Sequence, residues 1–353
     1  MARTRVIGLD IGTSGLRAAE VQFGSGGPAS GPAEVLNVGF APLPDGAVRD
    51  GEVAEPSTVA TAIRQLWSER KFSTKDVVLG VGNQRVMVRE VDLPLMPLPQ
   101  LRTSLPFQVN DMLPVSVDDA VLDYYPTGTT TGQHGPMYHG LLVAATKETV
   151  LANTTAAERA GLRPVLVDLN AFALARVQAR AGYGEGIVAC VDVGARVTNI
   201  AVIVNGQPRF VRILPSGGQD VTDAVAGTLD VPKDEAERLK RAVGIGIATP
   251  PELTAARDAV LSVSGTLVDA VRNTLSYFTG TNQGQPVQQI VLSGGGAFLN
   301  GFGQYLSSAS RVTVTLARPA NGMKLGRGLE RTFGGHEQAM IAVPLGLAMG
   351  VAA

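Results

Sequence analysis

Apolar residues arrive along this chain in short, dense runs broken by glycine and polar turns, a pattern that predicts strands. "RVIGLD" and "LRAAEVQF" flank one glycine turn; "AEVLNVGFAPL" follows "GSGGPASGP", which reads as a hairpin loop. In "EPSTVATAIRQLWSERKF" the period changes, with Val59, Ile63 and Leu66 at helical spacing and Ser57 as the expected cap. "DVVLGVG" and "RVMVREVDLP" return to strands. "LPQLRTSLPFQVNDMLP" then places Leu101, Leu105, Val109 and Met112 on one helical face, with Pro106 expected to kink that helix or begin its main segment. "DAVLDYYP" and "GLLVAAT" are strands around the polar loop "TGTTTGQHGPM". This β-β-α-β-β run, residues 76–146, reads as a module inserted into a larger fold.

Helix "KETVLANTTAAERAG", strand "RPVLVDL" and helix "NAFALARVQARAG" lead out of the module. "GIVACVDVGARVTNIAVIVNGQPRFVRIL" is three strands joined by turns, followed by the helices "QDVTDAVAGTL" and "KDEAERLKRAV" and a long, largely helical stretch. "VQQIVLSGGGAFLNGFGQYLSS" reads strand, glycine loop, helix; "RVTVTLA" is a further strand, and the tail closes as a helix.

One internal repeat organises these elements. "RVIGLDIGTSGLRAAEV" and "IVACVDVGARVTNIAVI" each run apolar strand, Asp, β-branched residue, Gly, turn, strand, so that Asp10 matches Asp192 and Gly12 matches Gly194. Two such hairpins, one per half, predict two related lobes facing a cleft. Glycine in each turn lets backbone N–H groups approach a phosphate. Asp10 and Asp192 at the strand ends suit a hydrated Mg²⁺, which prefers oxygen ligands and keeps its waters. Arg17 adds a cation toward the phosphates, and Gly294, Gly295 and Gly296, between a strand and a helix, offer close approach to an adenosine. Neither G-x-x-x-x-G-K-[ST] nor G-x-G-x-x-G opens the chain, which excludes the P-loop and dinucleotide-binding readings.

Composition bounds the rest. At 353 residues, 45% apolar and 17% charged, the chain exceeds one core and predicts several subdomains. A net charge of -1 gives no general attraction to nucleic acid or anionic lipid. The single cysteine, Cys190, ends an apolar run and reads as core, and no run approaches the roughly 20 apolar residues of a membrane span. The expectation is a cytoplasmic protein without membrane insertion. His134 and His139 fall in a polar loop and His336 after a glycine pair, without a ligand cluster around them; Trp67 reads as core.

These residues resemble a known family. "GLDIGTSGLRAAEV" is similar to the first phosphate loop of actin-like ATPases, "CVDVGARVTNIAVI" to the second and "VLSGGGAFLNGFGQYL" to the adenosine loop. "REVDLPLMPLPQLRTSLPFQVNDMLP", "AGLRPVLVDLNAFALAR" and "FVRILPSGGQDVTDAVAGTLDVPKDEAERLK" narrow the resemblance to the PilM family of type IV pilus assembly, a relative of FtsA. It implies an α/β, two-lobed actin-like ATPase fold of duplicated RNase H-like lobes carrying an FtsA-type inserted subdomain. The implied divisions are 1–75 and 147–185 for the first lobe, 76–146 for the insert, 186–215 and 270–353 for the second lobe, and 216–269 for its helical subdomain.

The resemblance further implies ATP and magnesium in the cleft, with phosphate contacts on Gly12, Thr13, Ser14 and Arg17, then Gly194, Ala195, Thr198 and Asn199. Arg17 stands where many relatives carry lysine. Gly217 and Gly218 open a helix toward the nucleotide, and Glu237 and Lys240 flank the base, or form an exposed i,i+3 ion pair. The implied partner is the N-terminal cytoplasmic tail of PilN, in a groove between first lobe and insert. Other inner-membrane pilus components are further implied partners, the implied place is the cytoplasm with recruitment to the inner face of the membrane, and a homo-oligomer stays open. Hydrolysis needs a group that positions water; Asp168 and Asn170 are the candidates, Asp168 as the catalytic residue or else as a solvated or capping one. At most slow turnover is expected. The rival readings are an FtsA-like membrane-associated filament protein and a small-molecule kinase of the same superfamily.

Overall fold

The computed structural model describes residues 4–133 and 135–350. β1 (Thr4–Ile11), β2 (Gly15–Phe23) and β3 (Ala33–Pro42) form an antiparallel meander, with the single turn α1 (Gly27–Ser30) inside the β2–β3 loop. The ribbon β4 (Val48–Arg49) and β5 (Glu52–Val53) leads to α2 (Pro56–Arg70) and β6 (Asp76–Val81). Next come β7 (Val86–Pro94), α3 (Leu98–Val109), β8 (Ala120–Gly132) and β9 (Gly135–Thr146). The first half ends with α4 (Lys147–Arg159), β10 (Arg163–Leu169) and α5 (Asn170–Gln178).

The second half repeats the scheme. β11 (Ile187–Val193), β12 (Thr198–Val204) and β13 (Gln207–Leu214) form the meander, followed by α6 (Gly218–Leu229), α7 (Lys233–Val243) and α8 (Thr254–Thr281). β14 (Gln289–Ser293), α9 (Phe302–Ser310) and β15 (Thr313–Leu316) complete the sheet. Its order, β13-β12-β11-β14-β15, reproduces β3-β2-β1-β6-β10 of the first, with the same antiparallel and parallel senses. The chain then runs through β16 (Lys324–Leu325), α10 (Leu329–Thr332), α11 (Gly335–Met340) and α12 (Ala342–Ala348).

Alternation along each strand decides the packing. Ile7, Leu9 and Ile11 of β1 face outward onto a core shared with Val59, Ile63 and Leu66 of α2 and with α4. Ala189, Val191 and Val193 of β11 face a second core with α6 and α8. The opposite faces of both sheets contribute to one continuous core containing α5 and α12, so those two helices join the lobes. Cys190 lies in it, and burial pushes its thiol up to about 12, an inert core residue.

Several sequence expectations need correction. β6 is not part of the insert: it pairs parallel with both β1 and β10 inside the first sheet. Its run "DVVLGV" is buried almost throughout, as a central parallel strand requires, whereas β7 is half exposed. The insert is therefore β-α-β-β, with its own small core of Leu93, Leu101, Leu105, Val109, Tyr124 and Leu142. The tail does not stay in the second lobe: β16 pairs with β3, and α12, buried at every position, packs on β1 and α5. Helix α3 runs uninterrupted through Pro106, while Met112 is in a following 3-10 turn and 37% exposed. Ser57 is not a cap, because Pro56 takes the first helical position; its hydroxyl accepts from Arg159 (2.7 Å). His139 lies in β9, its Nδ1 2.6 Å from Asp92 Oδ1, while His134 falls outside the described residues. Trp67 is half-buried against Phe72, its indole N–H donating to Thr74 O (3.1 Å).

The α5–α12 crossing is tight enough to test. A Cβ on Gly346 would sit 1.9 Å from Ala173 O, a backbone atom that cannot swing away. Gly346→Ala is expected to cost about 3 kcal/mol or more in urea unfolding, and a change under about 1 kcal/mol would contradict that contact.

Candidate functional site

The two Asp-x-Gly turns close in the same way. Gly12 N–H donates to Gly15 O (3.0 Å) and Gly194 N–H to Val197 O (2.9 Å), each just past a strand end. Register then sets Asp10 opposite Arg17 and Asp192 opposite Asn199. Arg17 does not reach outward as expected: its Nη2 lies 2.7 Å from Asp10 Oδ2. Burial works against the guanidinium's charge, but Asp10 and Asp192 outweigh it and raise the Arg17 pKa. Burial pushes Asp192 up, against the pull of Arg17 and of Ser293, whose hydroxyl donates to Oδ1 (2.8 Å).

Between the turns lies a polar cavity of about 40 Å³, bordered by Asp10, Asp192, Asn170 and Asn199. The amide oxygens Asn170 Oδ1 and Asn199 Oδ1 are buried without hydrogen-bond partners. An all-oxygen set of this kind suits water or a hydrated hard cation. Among the described residues no group of three or more His, Cys, Asp or Glu could hold a metal directly.

A larger cavity of about 680 Å³ adjoins it, walled by Thr13, Ser14 and Arg17 on one side and by Gly194, Ala195, α6, α7 and Gly295–Gly296 on the other. The start of α6 is docked on the second turn: Gly218 N–H donates to Gly194 O (2.9 Å) and Gln219 N–H to Ala195 O (2.7 Å). Gly217 N–H is taken by Asp220 Oδ2 (2.7 Å). Gly294 has φ 86°, and a Cβ on Gly296 would meet Val193 Cγ1 at 2.5 Å, so this loop also needs glycine.

Lys240 is buried rather than in an exposed pair. Its Nζ donates to Gly218 O (3.0 Å) and Thr222 Oγ1 (2.9 Å) and lies 2.5 Å from Glu237 Oε2. Burial opposes the Glu237 charge, yet hydrogen bonds from Lys240, Thr222 and Arg241 hold its pKa below the ordinary value. Glu237, Lys240, Gln219 and Thr222 thus form one stiff wall of the large cavity. Gln219 and Thr222 carried no signal of their own beyond following Gly217–Gly218.

Two expected residues lie elsewhere. Thr198 is fully buried and its hydroxyl donates to Ser216 O (2.8 Å), fastening β12 to the segment before α6 rather than facing either cavity. Asp168 is correspondingly not at the turns: its carboxylate is taken by Arg176 and by Leu169 N–H (2.8 Å). Burial pushes Asp168 up, Arg176 pulls it back, and the charge of Asp123 on β8 adds a push. Of the two candidates in "VDLN", Asn170 reaches the polar cavity.

Asp168 instead lies where the first lobe faces the insert, within the electrostatic reach of Asp123 on β8. β10 and β8 are edge strands of their sheets, and the rings of Tyr125 of β8 and Phe172 of α5 are 5.2 Å apart, tilted by 48°. Val121 of β8, Leu151 of α4 and Val165 and Leu166 of β10 remain exposed. Unpaired edges beside exposed apolar side chains suit an extended chain.

The family of the type IV pilus assembly protein PilM matches residues 8–351. A solved PilM-PilN type IV pilus biogenesis complex superposes with a TM-score of 0.83 at 27% identity, covering 99% of this chain and 98% of that one. MreB5 of Spiroplasma citri bound to ADP aligns at TM-score 0.55 and 14% identity over 97% of this chain and 94% of its own, a likeness of fold alone. The cell division protein FtsA of Streptococcus pneumoniae is 26% identical over 301 residues, 77% of this chain and 62% of FtsA. FtsA of Bacillus subtilis is 32% identical over 106 residues, 30% of this chain and 24% of its own. The chain spans less than two thirds of the length of these curated relatives. With an actin-like ATPase fold and a family match over nearly its whole length, the chain belongs to the PilM family of type IV pilus assembly proteins.

Proposed function

We propose that the chain binds ATP with magnesium between its lobes and acts as a scaffold of the pilus inner-membrane platform, holding the N-terminal cytoplasmic tail of a PilN-like protein. The observation that carries the nucleotide is the pair of matched glycine turns facing a cavity of about 680 Å³, a volume in the range of small-molecule sites. On this reading Gly12, Thr13, Ser14, Gly194 and Ala195 present backbone or hydroxyl groups to the phosphates. Gly218, Gly295 and Gly296 border the nucleoside, and Glu237 with Lys240 supports it. Asp10, Asp192, Asn170 and Asn199 would hold magnesium through its waters. When bound, that ion would neutralise phosphate charge.

In the polar cavity the two carboxylates are engaged, Asp10 by the Arg17 guanidinium and Asp192 by the Ser293 hydroxyl, and the amide oxygens of Asn170 and Asn199 are free to orient water. Such a site orients water without taking its proton, which supports slow turnover at most. ATP then serves to hold the lobes in one arrangement, presenting the β8–β10 groove. No helix of the described residues is long and apolar enough to cross a membrane, so on this reading the tail partner supplies recruitment to the inner face.

Saturating Mg-ATP, at about 100 times its Kd, is expected to add about 2.7 kcal/mol, a rise of about 4 °C in thermal midpoint. A peptide copying the PilN-like tail should bind, and Leu166→Glu should weaken it at least about tenfold, about 1.4 kcal/mol. No midpoint shift at millimolar nucleotide would sink the cleft assignment. A tail peptide that ignores Leu166→Glu would remove the groove, and acceptor-dependent phosphate transfer would favour the kinase reading.

A further inference from the structure

The insert has a second edge. β7 pairs only with β9, and β13 only with β12, so each is the last strand of its sheet. A cavity of about 770 Å³ lies between them. Its lining includes consecutive residues of both strands, Val86 to Glu90 and Phe210 to Ile213. Side chains of one strand alternate between faces, so an unbroken run along a cavity means that the backbone edge borders it.

The ladder to β9 shows which groups are free. Thr146 N–H donates to Arg85 O (3.3 Å) and Leu95 N–H to Pro136 O (3.1 Å), so the odd-numbered residues carry the bonds to β9. Val88 and Glu90 therefore turn their N–H and C=O groups toward the cavity. Its charge leans to one sign. Arg89 and Arg212 line it, and neither is within ion-pair distance of a carboxylate among the described residues, Arg89 donating only to Met112 O (3.3 Å). Glu90 is the one acidic residue of the lining.

We infer that the slot between β7 and β13 is a docking site for an extended, acidic peptide segment, which adds as a strand along β7 and places its carboxylates on Arg89 and Arg212. Main-chain hydrogen bonds supply register, and the arginine set supplies selectivity by sign of charge. Phe210 and Tyr277, whose rings are 5.7 Å apart, give the segment an aromatic wall for its apolar positions. This slot is on the opposite edge of the insert from the β8–β10 groove, so the inference stands apart from the proposed tail site.

The test titrates the full chain, without nucleotide, with two labelled nine-residue peptides matched to the nine residues of β7, one alternating glutamate and valine, the other lysine and valine. Fluorescence anisotropy should saturate for the glutamate peptide and show at least about tenfold weaker binding for the lysine peptide. Arg212→Glu and Val88→Pro should each weaken the glutamate peptide at least about tenfold, the latter by removing an N–H that faces the slot rather than the ladder. If Val88→Pro fails to fold, Arg212→Glu decides alone. Excess PilN-like tail peptide should leave the signal unchanged. Equal binding of both peptides, insensitivity to Arg212→Glu, or displacement by the tail peptide would each overturn the inference.

Discussion

Gly217→Ala is expected to remove most of the nucleotide-dependent rise in thermal midpoint while leaving a folded chain. The residue is extended, so its need for glycine is steric rather than conformational. A Cβ there would lie 2.5 Å from Gly194 O, 2.6 Å from Ala195 O and 2.7 Å from Ala195 C, all backbone of the second turn. Relief requires α6 to draw away from that turn, stretching the Gly218–Gly194 and Gln219–Ala195 hydrogen bonds that hold the two together. The empty fold should lose about 1–3 kcal/mol. Nucleotide affinity should fall at least about tenfold, since the two walls of the proposed phosphate site no longer meet. Gly227→Ala is the matched control: it lies on the same helix with open space around it, and should be neutral to stabilising by about 1 kcal/mol with the nucleotide shift intact. A full shift in Gly217→Ala would mean that nucleotide does not rest against these elements.

The parts of this site that were legible in the sequence are those governed by local chemistry. Two Asp-x-Gly hairpins could be aligned by eye because a turn's spacing is written in consecutive residues, and their closing bonds are indeed alike. What stayed hidden depends on partners far along the chain. Thr198 and Asn199 are adjacent, yet strand alternation sends one to Ser216 and the other into the polar cavity. Asp168 and Asn170 were separated only by Arg176, two turns further on, which takes the carboxylate. β6 looked like the start of the insert because the chain enters the insert directly after it, although its near-continuous apolar run, "DVVLGV", was a usable signal of a central parallel strand. The tail helix could be read as a helix, but its position rests on close backbone approaches, to β1 at Gly8 and to α5 at Gly346. Arg17 was expected to reach outward, but a hairpin register sets it opposite Asp10 and brings its guanidinium onto that carboxylate.

That contact makes Arg17 the counter-ion of both strand-end aspartates, and Arg17→Ala is expected to show it. Removing the guanidinium leaves Asp10 and Asp192 buried and facing without a cation, at a cost of about 3–5 kcal/mol near neutral pH. The sign of the pH dependence follows from Asp192. Its pKa is already raised by burial, and Arg17 is the strongest influence pulling it down, so losing Arg17 raises it further. A carboxyl whose folded pKa exceeds its unfolded value binds the proton more tightly when folded; the variant should therefore recover stability as pH falls toward the ordinary carboxylate range, and lose it as pH rises. Magnesium alone offers a second readout. With the guanidinium gone, Asp10, Asp192 and the two unpartnered amide oxygens would present an uncompensated oxygen site, so millimolar Mg²⁺ should stabilise Arg17→Ala more than the parent chain, which already carries its own cation there. Equal magnesium effects on the two chains, with the pH response intact, would keep Arg17 as a counter-ion and remove these aspartates from the metal role. In the parent, Arg17 and a hydrated ion would be alternative counter-ions for the same two carboxylates.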